Sequence, residues 1–245
     1  MRGAFDPRGI FAARIPSVLL LLLGLPFTSP AAAAGFTPPV PVTRTLPNGL
    51  RVAVFSSHRL PIVEMTLLLP AGQTAESANE SGAAALTASL LLRGTASRDA
   101  ASFEAALVRL GGSLSSNAGR DVASVDGQFL AGEFAAGLEL LSDAVLNPVF
   151  DEREVAADIA RARRTVQRID FDPATRAELQ MWSLVLGDRA YGRPALGRDS
   201  TLRAMTPGAL SEFYRLHYRP DQAVLVVAGD VAADSVFAAA EERFG

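Results

Sequence analysis

The order of local signals along this chain limits its fold more than any single residue does. Thr43–Leu46 and Leu50–Ser56 flank Pro47-Asn48-Gly49, and Asn-Gly between apolar runs is a hairpin turn signal. Val63–Leu69 is a third strand, closed by Pro70-Ala71-Gly72. Helical periodicity follows over Glu80–Leu92 and over Arg98–Leu110, where Phe103, Ala106, Leu107 and Leu110 fall on one face. After Gly111-Gly112, Ser113–Ala118 and Asp121–Leu130 pair as strands around Gly119-Arg120. Three helices are predicted next, over Glu133–Val145, Asp151–Ile169 and Pro173–Leu186, the last with Pro at its first position. Gly187–Gly197 is a loop, and Thr206-Pro207 opens another helix running to about His217. Ala223–Ala228 is a near-continuous apolar run, the pattern of a strand buried on both faces, and a helix to Phe244 closes the chain. Strands and helices in this order predict an α+β fold, with one sheet and helices packed on it.

Composition removes several functions. The chain has 245 residues, 49% of them hydrophobic, enough for one large domain or two small ones. A formal net charge of −3 gives no sign of nucleic-acid binding. The absence of Cys excludes disulfides, thiolate nucleophiles and Cys-based metal sites. The two histidines, His58 and His217, lie too far apart in sequence to form a local ligand pair.

The N-terminus reads as a targeting segment. Arg2, Arg8 and Arg14 precede the apolar core Val18–Phe27, and Ala31–Ala34 supply small-residue cleavage sites. The apolar run is short for a membrane span and is interrupted by Pro26, with Pro30 just beyond it. Cleavage near Ala34 is expected, giving a protein exported to a periplasm or secreted, with no stable membrane span. On this reading residues 1–34 are signal peptide, 35–42 a Pro-rich lead-in and 43–245 the folded domain.

Gly82–Thr95, GAAALTASLLLRGT, carries the sharpest functional information. Its frame resembles the metal-binding helix of the M16 (insulinase, pitrilysin-like) zinc peptidases, written there as Gly-Leu-Ala-His-Phe-Leu-Glu-His-Met-Leu-Phe-Lys-Gly-Thr. Four further stretches are similar to that family in the same order. They are the hairpin Leu46–Val52, the turn Gly111-Gly112-Ser113-Leu114, the loop Tyr191-Gly192-Arg193-Pro194 with Gly197, and Phe213–Pro220 with Leu225–Asp230. The resemblance covers nearly all of residues 43–245 and implies a LuxS/metallohydrolase-like M16 domain with a mostly antiparallel sheet. Family members usually carry two such halves, so a partner chain or a missing C-terminal half is implied.

In active members two His at i and i+4 bind zinc, and the Glu beside the second is the general base. The aligned positions here are Ala85, Ala88 and Ser89. The resemblance places Asp158, within Glu154–Ile159, at the distal ligand position. Methyl groups and a hydroxyl in place of imidazoles and a base imply a non-catalytic domain with no cofactor, zinc being the metal of the active members. Ser89 as a nucleophile would need a base, Asp158 or His58, and no Gly-x-Ser-x-Gly elbow accompanies it.

Binding needs less than catalysis. In the family, the strand after the Gly-Gly turn is an edge that pairs with extended substrate peptides. The equivalent stretch here includes Ser115, Ser116, Asn117 and Ala118. The leading expectation is an exported, non-catalytic partner or peptide-binding subunit of an active M16 zinc metallopeptidase. Two alternatives stand beside it: a zinc endopeptidase completed by a partner chain or missing half, and a purely structural or assembly domain.

Overall fold

The computed structural model describes residues 39–169 and 171–245. The signal peptide and most of the lead-in expected from the sequence lie outside them. Within Val40–Gly245, six strands form one sheet. These are β1 (Val42–Thr45), β2 (Arg51–Ser56), β3 (Ile62–Leu69), β4 (Ser113–Ala118), β5 (Ala123–Leu130) and β6 (Val224–Gly229). Their order is β1-β2-β6-β3-β5-β4. Only β2 and β6 run parallel; the other neighbours are antiparallel.

Among the described residues, eight α-helices accompany the sheet: α1 (Ala83–Leu90), α2 (Ala100–Leu110), α3 (Phe134–Leu146), α4 (Glu152–Ile169), α5 (Pro173–Leu186), α6 (Asp199–Ala204), α7 (Pro207–His217) and α8 (Ala233–Phe244). Alternation along the strands puts Val52, Val54, Val63, Met65, Leu67, Val125, Phe129, Leu225 and Val227 into the core. There they meet Leu86, Leu90, Leu138, Leu141, Leu210 and Phe237 of the helices. The expectation that β6 is buried on both faces is corrected. Leu225 and Val227 are buried, whereas Val224, Val226 and Ala228 are only half-buried. Being central in the sheet satisfies the backbone of β6 on both sides, but the helical layer covers one face.

The hairpin turn forms as its sequence requires. Gly49 adopts φ +92° and the Asn48 side chain accepts from the Leu50 N–H at 3.1 Å. The Asn48 amide also donates to the Phe244 carbonyl, tying the hairpin to the end of α8.

Two helical expectations change. The helix predicted from Glu80 begins only at Ala83, because Gly82 sits at φ +100°, outside helical space. A 3-10 turn over Ala78–Glu80 precedes it. Helix α6 falls where no helix was expected; six residues are too few to show an apolar period. It is held by Arg163 and Arg203, which pair with Asp199 at 2.7 Å each.

Gly82 also explains a second glycine. A Cβ on Gly197 (φ +81°) would come within 2.4 Å of the Ser81 carbonyl, and one on Gly82 within 2.9 Å of the Leu196 carbonyl. Two backbones cross here with no room for side chains. The loop before α6 is thereby seated against the start of α1.

Candidate functional site

Helix α1 is almost wholly enclosed. It packs against α4, α7 and β4. Six of its eight residues are buried; Ala85 and Ser89 alone keep some accessibility. Spacing of i and i+4 sets these two on one face. The stripe through which α1 meets its surroundings is therefore Ala85 and Ser89, the two positions that the resemblance in the sequence sets against metal-binding histidines. Ala88 is fully buried and does not share that stripe.

Across from it, α4 brings Asp158 to Ser89. The Ser89 hydroxyl donates to Asp158 Oδ2, and the Arg161 guanidinium donates to Asp158 Oδ1. Asp158 is 3% exposed and Arg161 is half-exposed. Burying a carboxylate is costly without such partners. Ser89 and Asp158 thus meet across the α1–α4 contact.

Zinc coordination asks for a tetrahedral set of imidazole, thiolate or carboxylate donors. The residues present do not fit that demand. Ala85 and Ala88 offer no donor, and both Asp158 oxygens are engaged by a hydroxyl and a guanidinium. Among the described residues, no group of three or more His, Cys, Asp and Glu side chains is placed to hold a metal ion.

Neither histidine joins this site. His58 Nδ1 lies 2.5 Å from Asp230 Oδ1, and His217 packs against Phe213 with ring centroids 4.5 Å apart and planes tilted by 47°. Ser89 therefore contacts a carboxylate with no imidazole between them.

The start of α1 rests on residues that the sequence did not single out. Glu76 is 6% exposed, and its Oε1 accepts from the Gly82 and Ala84 N–H groups at 3.1 and 2.9 Å. Burial pushes its pKa up to about 7, although those two hydrogen bonds and Arg193 act the other way. Its second oxygen has no hydrogen-bond partner. Arg193 donates to the Glu76 carbonyl at 2.8 Å, and Gln73 Nε2 donates to the Arg193 carbonyl at 2.6 Å. The Tyr191–Pro194 motif was visible in the sequence, but its contact with Gln73 and Glu76 spans well over 100 residues.

Ser115, Ser116, Asn117 and Ala118, expected from the sequence to form a peptide-binding edge, lie in β4. β4 is the terminal strand of the sheet, with Ser115 and Asn117 exposed and Ser116 and Ala118 half-buried. The Gly119 N–H donates to the Val122 carbonyl at 2.8 Å, which fixes the hydrogen-bonding phase of the β4–β5 ladder. Opposed residues alternate between bonded and non-bonded pairs. Ser113, Ser115 and Asn117 therefore bond to β5, whereas Leu114, Ser116 and Ala118 aim their N–H and C=O groups outward. Where β4 ends, the Arg120 guanidinium lies 4.8 Å from the Trp182 ring centroid and 5.1 Å from that of Tyr191.

With this geometry in view, the comparisons agree on the class. Residues 51–198 match the family described as insulinase, peptidase family M16, and residues 204–245 match the peptidase M16 inactive domain. The chain belongs to the M16 peptidase family. It is 28% identical over 223 residues to a Mycobacterium bovis protein named as an uncharacterized zinc protease, covering 90% of this chain and 50% of the relative. It is 24% identical over 208 residues to a mitochondrial-processing peptidase beta subunit of Blastocladiella emersonii, covering 85% and 44%. The chain thus spans about half the length of the curated relatives it matches. Among solved structures, a Helicobacter pylori protease superposes with TM-score 0.80 at 21% identity, over 84% of this chain and 50% of that one. An M16 inactive domain from Pseudomonas fluorescens gives 0.78 at 22%, over 82% and 49%. These likenesses establish the α+β fold expected from the sequence.

Proposed function

We propose that this chain is a non-catalytic M16-type half that holds extended peptide and works beside a catalytic M16 zinc metallopeptidase half. That second half is either a partner chain or a continuation of the same polypeptide. The observation that carries this reading is the pairing of two features at one end of the sheet. The accessible stripe of α1 presents only Ala85 and Ser89, with Asp158 already engaged. The terminal strand β4 turns the backbone of Leu114, Ser116 and Ala118 outward. Hydrolysis needs a metal ligand set or a base at the first feature; β-augmentation needs only backbone groups at the second.

Export through a cleaved leader, to a periplasm or to the medium, belongs to the same proposal. It is supported by the basic, apolar and small-residue order of the first 34 residues. No helix among the described residues is long and apolar enough to cross a membrane.

The test is binding of fluorescent extended peptides, read by polarisation, with Ser116→Pro as the decisive variant. Proline at this position removes an outward N–H while leaving the β4–β5 bonds of Ser115 and Asn117 in place. Saturable binding weakened at least tenfold by the substitution is expected. Absence of binding, or unchanged affinity in the variant, would assign the domain a structural role only. Stoichiometric zinc in the purified protein, with metal-dependent cleavage of the same peptides, would instead establish an active peptidase.

A further inference from the structure

Helix α5 is amphipathic in an unusual way: it has apolar residues on both of its long sides. None of its residues is buried. Thr175, Leu179, Trp182 and Leu186, spaced i, i+4, i+7 and i+11, are half-buried against the body of the domain. The other side carries Ala174, Ala177, Met181, Leu184 and Val185, all exposed, with Phe171 in the turn just before it. Phe171 is 87% exposed, Leu184 79%, Val185 71% and Met181 49%. A soluble domain rarely leaves so many large apolar side chains together in water unless a partner covers them.

The spacing narrows what that partner looks like. Ala174, Ala177, Met181 and Leu184 repeat at intervals of three and four, the seam of two packed helices. Small residues at its start permit close approach. The flank carries unpaired positive charge: in the second half of α4, Arg161 and Arg163 pair with Asp158 and Asp199, whereas Arg164 and Arg168 remain beside them. Arg164 and Arg168 are exposed, and neither pairs with a carboxylate among the described residues. Phe171 donates its N–H to the Arg168 carbonyl at 3.0 Å, so the basic flank adjoins the apolar seam.

We infer that the outward face of α5 is the docking surface for the second M16-type half, through an apolar helix of that half with an acidic border. This rests on the partner reading above. The argument for this occupant is length: the relatives and the solved structures with TM-scores near 0.8 are about twice as long as the part this chain matches. About as much chain again therefore lies outside the matched part in each of them, room for a second half of similar size. Position supports the same occupant. Trp182, on the inner side of α5, stacks with Arg120 at the end of β4. A half docked on the outer side of α5 would stand beside the peptide edge.

Site-specific photo-crosslinking in the source organism tests this. A crosslinking amino acid replaces Leu184 in the full-length protein and, as a control on a separate helix, Val108 of α2, which is 72% exposed. Leu184 is expected to crosslink to peptides of an M16-type half, whether on another chain or further along the same one. Leu184→Asp should lower association with that half at least tenfold without changing the circular dichroism of the domain. Should that variant misfold, Val185→Asp serves in its place. Crosslinks from Leu184 to a second copy of this chain, to lipid or to an unrelated protein would overturn the inference, as would no crosslink at all. An M16-type half captured from Val108 but not from Leu184 would remove the α5 surface and leave the partner reading intact. Capture from neither position would remove the α5 surface, and the partner reading would fall only if no M16-type half co-purifies with the full-length protein.

Discussion

The Ser89 hydroxyl donates to the buried Asp158 carboxylate and so joins α1 to α4 beside the accessible stripe of α1. Arg161 completes the arrangement from the solvent side. A guanidinium and a hydroxyl thus compensate a carboxylate that would otherwise be buried alone. Ser89→Ala and Asp158→Ala, combined in a double-mutant cycle, should show a coupling of about 1–3 kcal/mol in urea denaturation. Strict additivity of the two changes would mean the contact contributes nothing to holding the helices together.

Installing imidazoles should change the chemistry of this face. Ala85→His with Ser89→His sets two rings at i and i+4 beside Asp158, three donors of the kinds zinc accepts. The doubly substituted protein should gain about 5–10 °C in Tm at zinc concentrations roughly 100-fold above Kd, reversed by chelator. The unsubstituted chain should show no shift, and a comparable zinc-dependent shift in it would contradict the donor argument.

Glu76 makes stability depend on pH. Its carboxyl ionises near 4.5 when unfolded and near 7 in the fold, where burial opposes the charge. Between these values the folded chain holds a proton that the unfolded chain has released, so stability falls as pH rises through this window. The loss approaches a limit on the order of 3 kcal/mol above pH 7. Glu76→Gln keeps an oxygen for the Gly82 and Ala84 N–H groups and cannot ionise. Urea midpoints measured at pH 5 and pH 8 should therefore diverge for the native protein more than for this variant.

Two glycines hold the core around Phe129 and the start of α1. A Cβ on Gly137 would lie 2.6 Å from the buried Phe129 ring. Gly137→Ala should cost about 1–3 kcal/mol. Gly82→Ala should cost more, since it adds about 1 kcal/mol or more of left-handed backbone strain to the clash with Leu196. Thermal denaturation of both variants checks the order; a neutral Gly82→Ala would show that the backbone crossing can relax.

Local patterning made most of the fold legible. Pro47-Asn48-Gly49 gave the hairpin, Asp172-Pro173 gave the start of α5, and the Gly111-Gly112 turn led into β4. What stayed hidden depends on contacts distant in sequence. Nothing near Glu76 indicates that it caps α1 from a buried position, because the group that completes its cluster with Gln73, Arg193, lies more than 100 residues further along the chain. Helix α6 is too short for periodicity to register. The apolar run of β6 looked two-sided because Val224 and Val226 are as hydrophobic as Leu225 and Val227; only the placement of the helices separates the faces. At the candidate site, the burial of Ala88 away from the accessible stripe of Ala85 and Ser89 could not be read from a row of small residues.

The stacking of Arg120 on Trp182 has an optical consequence. The chain contains one tryptophan, so its emission is a single-site signal. That indole lies on the inner side of α5, its face toward the guanidinium that follows β4 and its N–H 3.4 Å from Glu178. Anything that lengthens the sheet past Ala118, or settles on the helix beyond, alters the polarity around one fluorophore. The unlabelled molecule can therefore report its own occupancy.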